Sequence, residues 1–240
     1  MPRFFVDEKP IDGILTIFGE DARHIARSLR MAVGEKITVC SGGVDYLCEL
    51  KKISDTTVTC DVISEEISRE PSVKLTLFQA LPKQDKLELI IQKAVELGAC
   101  EVVPVMTKRC IARPEKGQFD KKLERLQRIS LEAAKQSGRG IIPTVSGIID
   151  FDECLRRLTE CDLALMCYEK EGGKRLSELS FDGVKHIGLF IGSEGGFEAS
   201  EAERAVQAGD VPIWLGDRIL RCETAPIAAI AVIMSLTGHI

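Results

Sequence analysis

Two stretches near the C-terminus concentrate residue types that bind and react. The first is Gly192-Ser193-Glu194-Gly195-Gly196-Phe197, three glycines in five residues around a carboxylate. Glycine lets the backbone approach a ligand closely and present its N–H groups. The second is Gly216-Asp217-Arg218-Ile219-Leu220-Arg221-Cys222-Glu223-Thr224. Arg218 and Arg221 can face something anionic. Ile219 and Leu220 are odd in a solvated connection and make sense as walls for an aromatic ligand. A tight strand-to-helix turn explains one glycine-rich loop about as well as a ligand does. The second loop tips the balance toward binding.

The ligand class narrows by elimination. A phosphate-cleaving loop requires G-x-x-x-x-G-K-[ST], and no lysine follows these glycines. A dinucleotide fold places G-x-G-x-x-G after its first strand, with far more chain to follow than the roughly 45 residues left here. An adenine-bearing ligand without a triphosphate remains. Residue-level reasoning stops at that class.

The elements that must position these loops alternate as strand and helix. Strands are expected over Val73–Gln79, Glu101–Met106, Leu163–Cys167, His186–Ile191 and Val211–Leu215. Helices are expected over Lys86–Leu97, Phe119–Ser137 and Ala225–Leu236, the last with Thr224 at its N-cap and Pro226 in its first turn. Ser200 and Glu203 have capping-box spacing for the helix after the glycine loop. Such alternation predicts an α/β domain with a mostly parallel sheet, which binds ligands beyond the carboxyl ends of its strands. The first 65 or so residues alternate in period two instead, with Gly42-Gly43 as a hairpin signal, and predict a small barrel or curled sheet. One helix interrupts them, from about Glu20 to Val33. The charged stretch ending in Pro71 sets the boundary, giving domains 1–70 and 71–240.

The 240 residues carry a net charge of −5, so any nucleic-acid partner must be held by a local basic patch. Arg23, Arg27 and Arg30 fall within roughly 60° of helical arc, opposite Ala22, Ile25, Leu29 and Val33, with no acidic residue among them. That favours a phosphate-facing role over a solvated face. Arg125, Arg128, Lys135 and Arg139 line up too, but Glu132 sits among them and ion pairing explains the pattern equally well. Lys83 and Lys86 flank the end of a strand. Nine dispersed cysteines without C-x-x-C spacing and three scattered histidines give no metal site, and the thiols are expected reduced. No signal-peptide apolar region or membrane span is expected, which points to the cytoplasm.

The segments Gln79-Ala80-Leu81-Pro82-Lys83, Glu88 to Ala94, Glu132 to Arg139, IGSEGGF and LGDRILRCETA resemble the bacterial ribosomal RNA small subunit methyltransferase E family. The likeness spans nearly the whole chain, including Arg3-Phe4-Phe5 and His24 to Gly34. Ser193 and Asp217 stand where that family usually has proline, and Cys222 where threonine is common. The resemblance implies a SPOUT-type α/β domain with a deep trefoil knot, preceded by a PUA-like β-barrel that binds RNA. It implies a homodimer, with no metal, that uses S-adenosylmethionine to methylate N3 of a uridine in 16S rRNA of the small ribosomal subunit. Gly192, Gly195, Gly196, Leu215, Gly216, Ile219, Leu220 and Thr224 would then hold the cofactor. Arg221 would stabilise charge on the uracil, and Glu194 or Glu223 would accept its proton or merely cap backbone N–H groups. Arg3, Arg23, His24, Arg27, Arg30 and Lys83 would face RNA. A methyltransferase for another rRNA or tRNA nucleotide, and a non-catalytic RNA-binding assembly factor, are the competing expectations.

Overall fold

The structure, a computed structural model, describes residues 1–114, 117–168 and 173–240. The chain divides into two compact units, Met1–Glu70 with Ala134–Ile141, and Pro71–Ala133 with Ile142–Ile240.

The first unit is a five-stranded sheet of β1 (Arg3–Phe5), β2 (Ile14–Phe18), β3 (Lys36–Ser41), β4 (Val44–Ile53) and β5 (Thr57–Ile67), ordered β1-β3-β4-β5-β2. The β3–β4 hairpin turns on Gly42 and Gly43, both at positive φ, the backbone that a two-residue turn needs to match strand twist. Register shifts between Leu47 and Cys48 and between Leu50 and Lys52 bend the long β4–β5 ribbon. The bent sheet closes over Phe4, Leu15, Ile17, Ile37, Val39, Leu50 and Val58. Helix α1 (Gly19–Arg23) adds Ala22, and one π-helical turn, His24–Ser28, adds Ile25.

The expected helix to Val33 therefore ends early. Leu29 N–H bonds back to the His24 carbonyl at 2.9 Å, and Arg30 has left the helix at φ +51°. Val33 is 64% exposed, so the apolar stripe that suggested a longer helix is only partly buried. The segment Ala134–Ile141 belongs to this unit for visible reasons. Lys135 pairs with Asp21 at 2.9 Å and Arg139 with Glu70 at 2.6 Å. A Cβ on Gly140 would stand 1.9 Å from that of Ser68, so only glycine fits there.

The second unit holds β6 (Lys74–Ala80), β7 (Glu101–Met106), β8 (Thr144–Val145), β9 (Ile149–Asp150), β10 (Leu163–Cys167), β11 (His186–Ile191) and β12 (Val211–Ile213). They form a seven-stranded sheet in the order β12-β10-β11-β6-β7-β8, with β9 also on β7, and each pairing is parallel. Its helices are α2 (Lys86–Glu96), α3 (Gln118–Ser137), α4 (Phe151–Leu158), α5 (Ala199–Ala208) and α6 (Thr224–Leu236). Phe78, Met166 and Phe190 pack with Phe151, Cys154, Leu155, Ala202 and Ala205 of α4 and α5. The preceding residue on each of those strands, Leu77, Leu165 and Leu189, is equally buried, so apolar side chains cover both faces. No described helix is long and apolar enough to cross a membrane.

Candidate functional site

Parallel strands deliver their carboxyl ends to one edge of the sheet, and there the two loops emerge. The glycine loop follows β11 and is fixed from three sides. The Phe197 ring meets Phe190 edge-on at 4.6 Å, inside the core. Gly196 N–H donates to the Ser193 carbonyl at 2.9 Å. Arg109, from the loop after β7, donates to the Gly195 carbonyl at 2.9 Å and pairs with Glu198 at 3.1 Å. Gly192 is required for packing, because a Cβ there would lie 3.0 Å from the Cα of Gly196. Gly196 (φ +65°) and Gly216 (φ +115°) differ, since a Cβ on either would meet nothing within 4 Å. Both hold backbone that favours glycine and both border open space, the arrangement expected of a ligand cradle. Beneath the loop, the fully buried Gln79 donates its amide N–H to the Gly192 carbonyl at 3.2 Å, while its Oε1 has no partner among the described residues.

The second loop runs from β12 to α6. Leu215, Gly216 and Leu220 are half-buried and Ile219 is 82% exposed. Arg221 is exposed and makes no ion pair among the described residues. Glu223, not Thr224, is the N-cap of α6, and Thr224 is its first residue. Likewise α5 is capped by Glu198 and Glu201 rather than by Ser200 and Glu203. Glu201, 2% exposed, also accepts the Lys108 N–H at 2.8 Å, so burial and a second donor select it over the exposed Glu203.

Glu194 and Glu223 converge on one cation. Lys86 Nζ, in the first turn of α2, lies 3.1 Å from a carboxylate oxygen of each. Glu194 also accepts the backbone N–H of Lys83 at 3.1 Å. Burial works to raise both carboxyls, but hydrogen bonds from their own backbones, from Lys86, and from Lys83 or Cys222 outweigh it and hold them below the usual range. The neighbouring Cys222 thiol donates to Glu223 at 3.2 Å, and burial pushes it up to about 12, so it stays neutral. The sequence marks Lys86 only as a basic residue near a strand end, and nothing local pairs it with two carboxylates far along the chain.

The first-unit cations sort differently from the helical-arc expectation. The Arg3 guanidinium is engaged by Asp45 at 2.8 and 2.9 Å and donates to the Arg139 carbonyl at 3.0 Å. That pair already engages the Arg3 guanidinium within its own unit. Arg27 is held in a two-point contact by Asp55, an acid from the β4–β5 turn that an arc drawn on one helix omits. Arg23, His24 and Arg30 are exposed, and neither arginine makes an ion pair among the described residues. Lys83 is exposed beside the glycine loop. Arg125 pairs with Glu88 at 2.8 Å, so the second basic row includes ordinary ion pairs.

An RNA methyltransferase domain family matches residues 69–234, and an RNA methyltransferase PUA domain family matches residues 18–63. The chain is 37% identical to the Bacillus subtilis ribosomal RNA small subunit methyltransferase E, over 97% of this chain and 96% of that one. It is 33% identical to the Synechocystis protein of the same name, over 95% and 75%. The solved structure of a ribosomal RNA small subunit methyltransferase E from Neisseria gonorrhoeae bound to S-adenosyl methionine matches with a TM-score of 0.88 at 32% identity, covering 98% of each chain. An α/β methyltransferase domain behind a PUA domain is the class these matches define. The chain belongs to the ribosomal RNA small subunit methyltransferase E family.

Proposed function

We propose that this protein transfers the methyl group of S-adenosylmethionine to N3 of a uridine in 16S rRNA of the small ribosomal subunit, in the cytoplasm. The observation that carries the reading is the pair of loops at one sheet edge, with Gly196 and Gly216 at positive φ beside open space. A relative of the same architecture is described as bound to that cofactor. The residues fit such a group: two positive-φ glycines with open space beside them, and half-buried Leu215 and Leu220.

Bound here, the cofactor supplies a methyl already activated on a sulfonium, so the chain has mainly to position and to manage charge. The glycine loop and the 215–220 backbone hold the adenosyl group. Loss of the uracil N3 proton to solvent water leaves negative charge on the flanking carbonyls, which the exposed Arg221 guanidinium can stabilise. Glu194 and Glu223 suit an anchoring role better than a proton-accepting one, since carboxylates held low by a lysine are weak bases. Arg23, His24, Arg30 and Lys83 remain the candidates for RNA contact.

The same reading takes the chain as a homodimer with a trefoil knot in its second unit. Support for a dimer comes from Leu89 of α2 and Val232 and Leu236 of α6, exposed by 42, 43 and 45% on two helices that pack together. Sedimentation in solution tests it. The function is tested by incubating labelled S-adenosylmethionine with small subunits that lack the modification, then digesting the rRNA to nucleosides. Label at N3 of one uridine is expected. Label in a different nucleoside, or in tRNA alone, would overturn the assignment.

A further inference from the structure

We infer that Lys86 is the positioning residue of this enzyme, a clasp that holds the two cofactor loops together before the cofactor arrives. The inference rests on the reading that these loops bind S-adenosylmethionine. Glu194 belongs to the loop after β11, and Glu223 stands between the loop after β12 and α6. In the sheet, β10 separates those two strands. Neither glutamate pairs with any other cation among the described residues, and both meet at one nitrogen, 3.1 Å from each. Lys86 is anchored in turn, because its own helix α2 packs against α6. The Lys83 N–H on Glu194 and the Cys222 thiol on Glu223 complete the lone-pair partners of the cluster.

A third of each side chain or less is exposed, 26% for Lys86, 27% for Glu194 and 16% for Glu223. A surface ion pair is worth little, but a part-buried triad that closes two otherwise separate loops acts on their conformational freedom. Ordering a loop before binding removes that cost from the binding step and so raises affinity. Both carboxylates lie within hydrogen-bond reach of one point, so they are at most about 6 Å apart. Without the lysine, two like charges at that separation cannot both stay ionised easily, and one would take up a proton nearer to neutrality.

The test compares wild type, Lys86→Met and Lys86→Arg. Hydrogen exchange in cofactor-free protein is read first. Lys86→Met should speed exchange in both 192–197 and 216–223, leave β6 and β7 protected, and Lys86→Arg should restore most of the protection. Calorimetry with S-adenosylmethionine follows between pH 5 and 8. Wild-type affinity should be flat across that range. Lys86→Met should bind about tenfold or more weakly at pH 8 and should change affinity as the pH falls and the freed pair takes up its proton. Unchanged loop exchange in Lys86→Met overturns the clasp, whatever the cofactor does. Faster exchange with unchanged, pH-independent affinity overturns its role in binding. Failure of wild type itself to bind S-adenosylmethionine overturns the cofactor reading instead, with the exchange result still deciding the clasp.

Discussion

Gly196 and Arg221 separate holding a cofactor from acting on a substrate. Gly196 sits at φ +65° with open space where a side chain would go. A valine there meets two costs: a backbone penalty of about 1–2 kcal/mol for left-handed conformation, and a branched side chain in the proposed ligand volume. Gly196→Ala carries the first cost with little of the second. Gly196→Val should therefore abolish S-adenosylmethionine binding by calorimetry while melting close to Gly196→Ala. Equal affinities in the two variants would show that the space beyond Gly196 is not the ligand's. Arg221 is different because no carboxylate among the described residues holds it, so its charge is available to a substrate. Arg221→Ala should lower turnover on the order of a hundredfold or more, with cofactor affinity within a few-fold of wild type. A matching loss of cofactor affinity, with turnover intact at saturation, would make it a cofactor residue.

At the scale of elements, the residue just before β12, Asp210, is one that the proposed reaction does not use. Asp210 is 3% exposed, neither carboxyl oxygen has a hydrogen-bond partner among the described residues, and burial pushes the group up to about 7. Its ordinary value is 3.8, so the folded chain keeps a proton that the unfolded chain releases between about 4 and 7. Stability from this group is thus greatest below pH 4, falls as pH rises through 7, and then levels off. Asp210→Asn should flatten that decline, with a difference at pH 8 of a few kcal/mol at most in denaturant melts. A wild-type protein equally stable at pH 5 and 8 would contradict it. The alternation of strands and helices was legible because each parallel strand is a short apolar run and each helix an amphipathic one. The Gly42-Gly43 turn was legible because glycine adopts the positive φ of both turn positions without strain. The caps of α5 and α6 were not, since burial of Glu201 and the fold of the preceding loop decide them. Neither was the early end of the helix at Arg30, where a π turn breaks the 3.6-residue period. The loop motifs announced the candidate site, but its clasp is a long-range contact that no spacing encodes.

For the whole molecule, a net charge of −5 makes the average field repel RNA, so binding must depend on cations without acidic partners. The structure thins the first-unit set. Asp45 neutralises Arg3 and Asp55 neutralises Arg27, while Arg23 and Arg30 make no ion pair among the described residues. Each phosphate contact contributes about 0.7 to 0.9 to the slope of log affinity against log salt. Replacing Arg23, Arg27 and Arg30 together by glutamine should therefore flatten that slope for small subunits by about one and a half units, less than three free arginines would give. Most of the change should follow from Arg23→Gln with Arg30→Gln, and Arg27→Gln alone should add little, because its charge is already countered by Asp55. Cofactor affinity should be unchanged, since the loops proposed to bind it lie in the other unit. If the triple variant keeps the wild-type affinity and slope, this face is only solvated. The phosphate contacts would then have to come from the second unit, where Lys83 and Arg221 stand exposed beside the loops, and their glutamine variants should carry the lost slope instead.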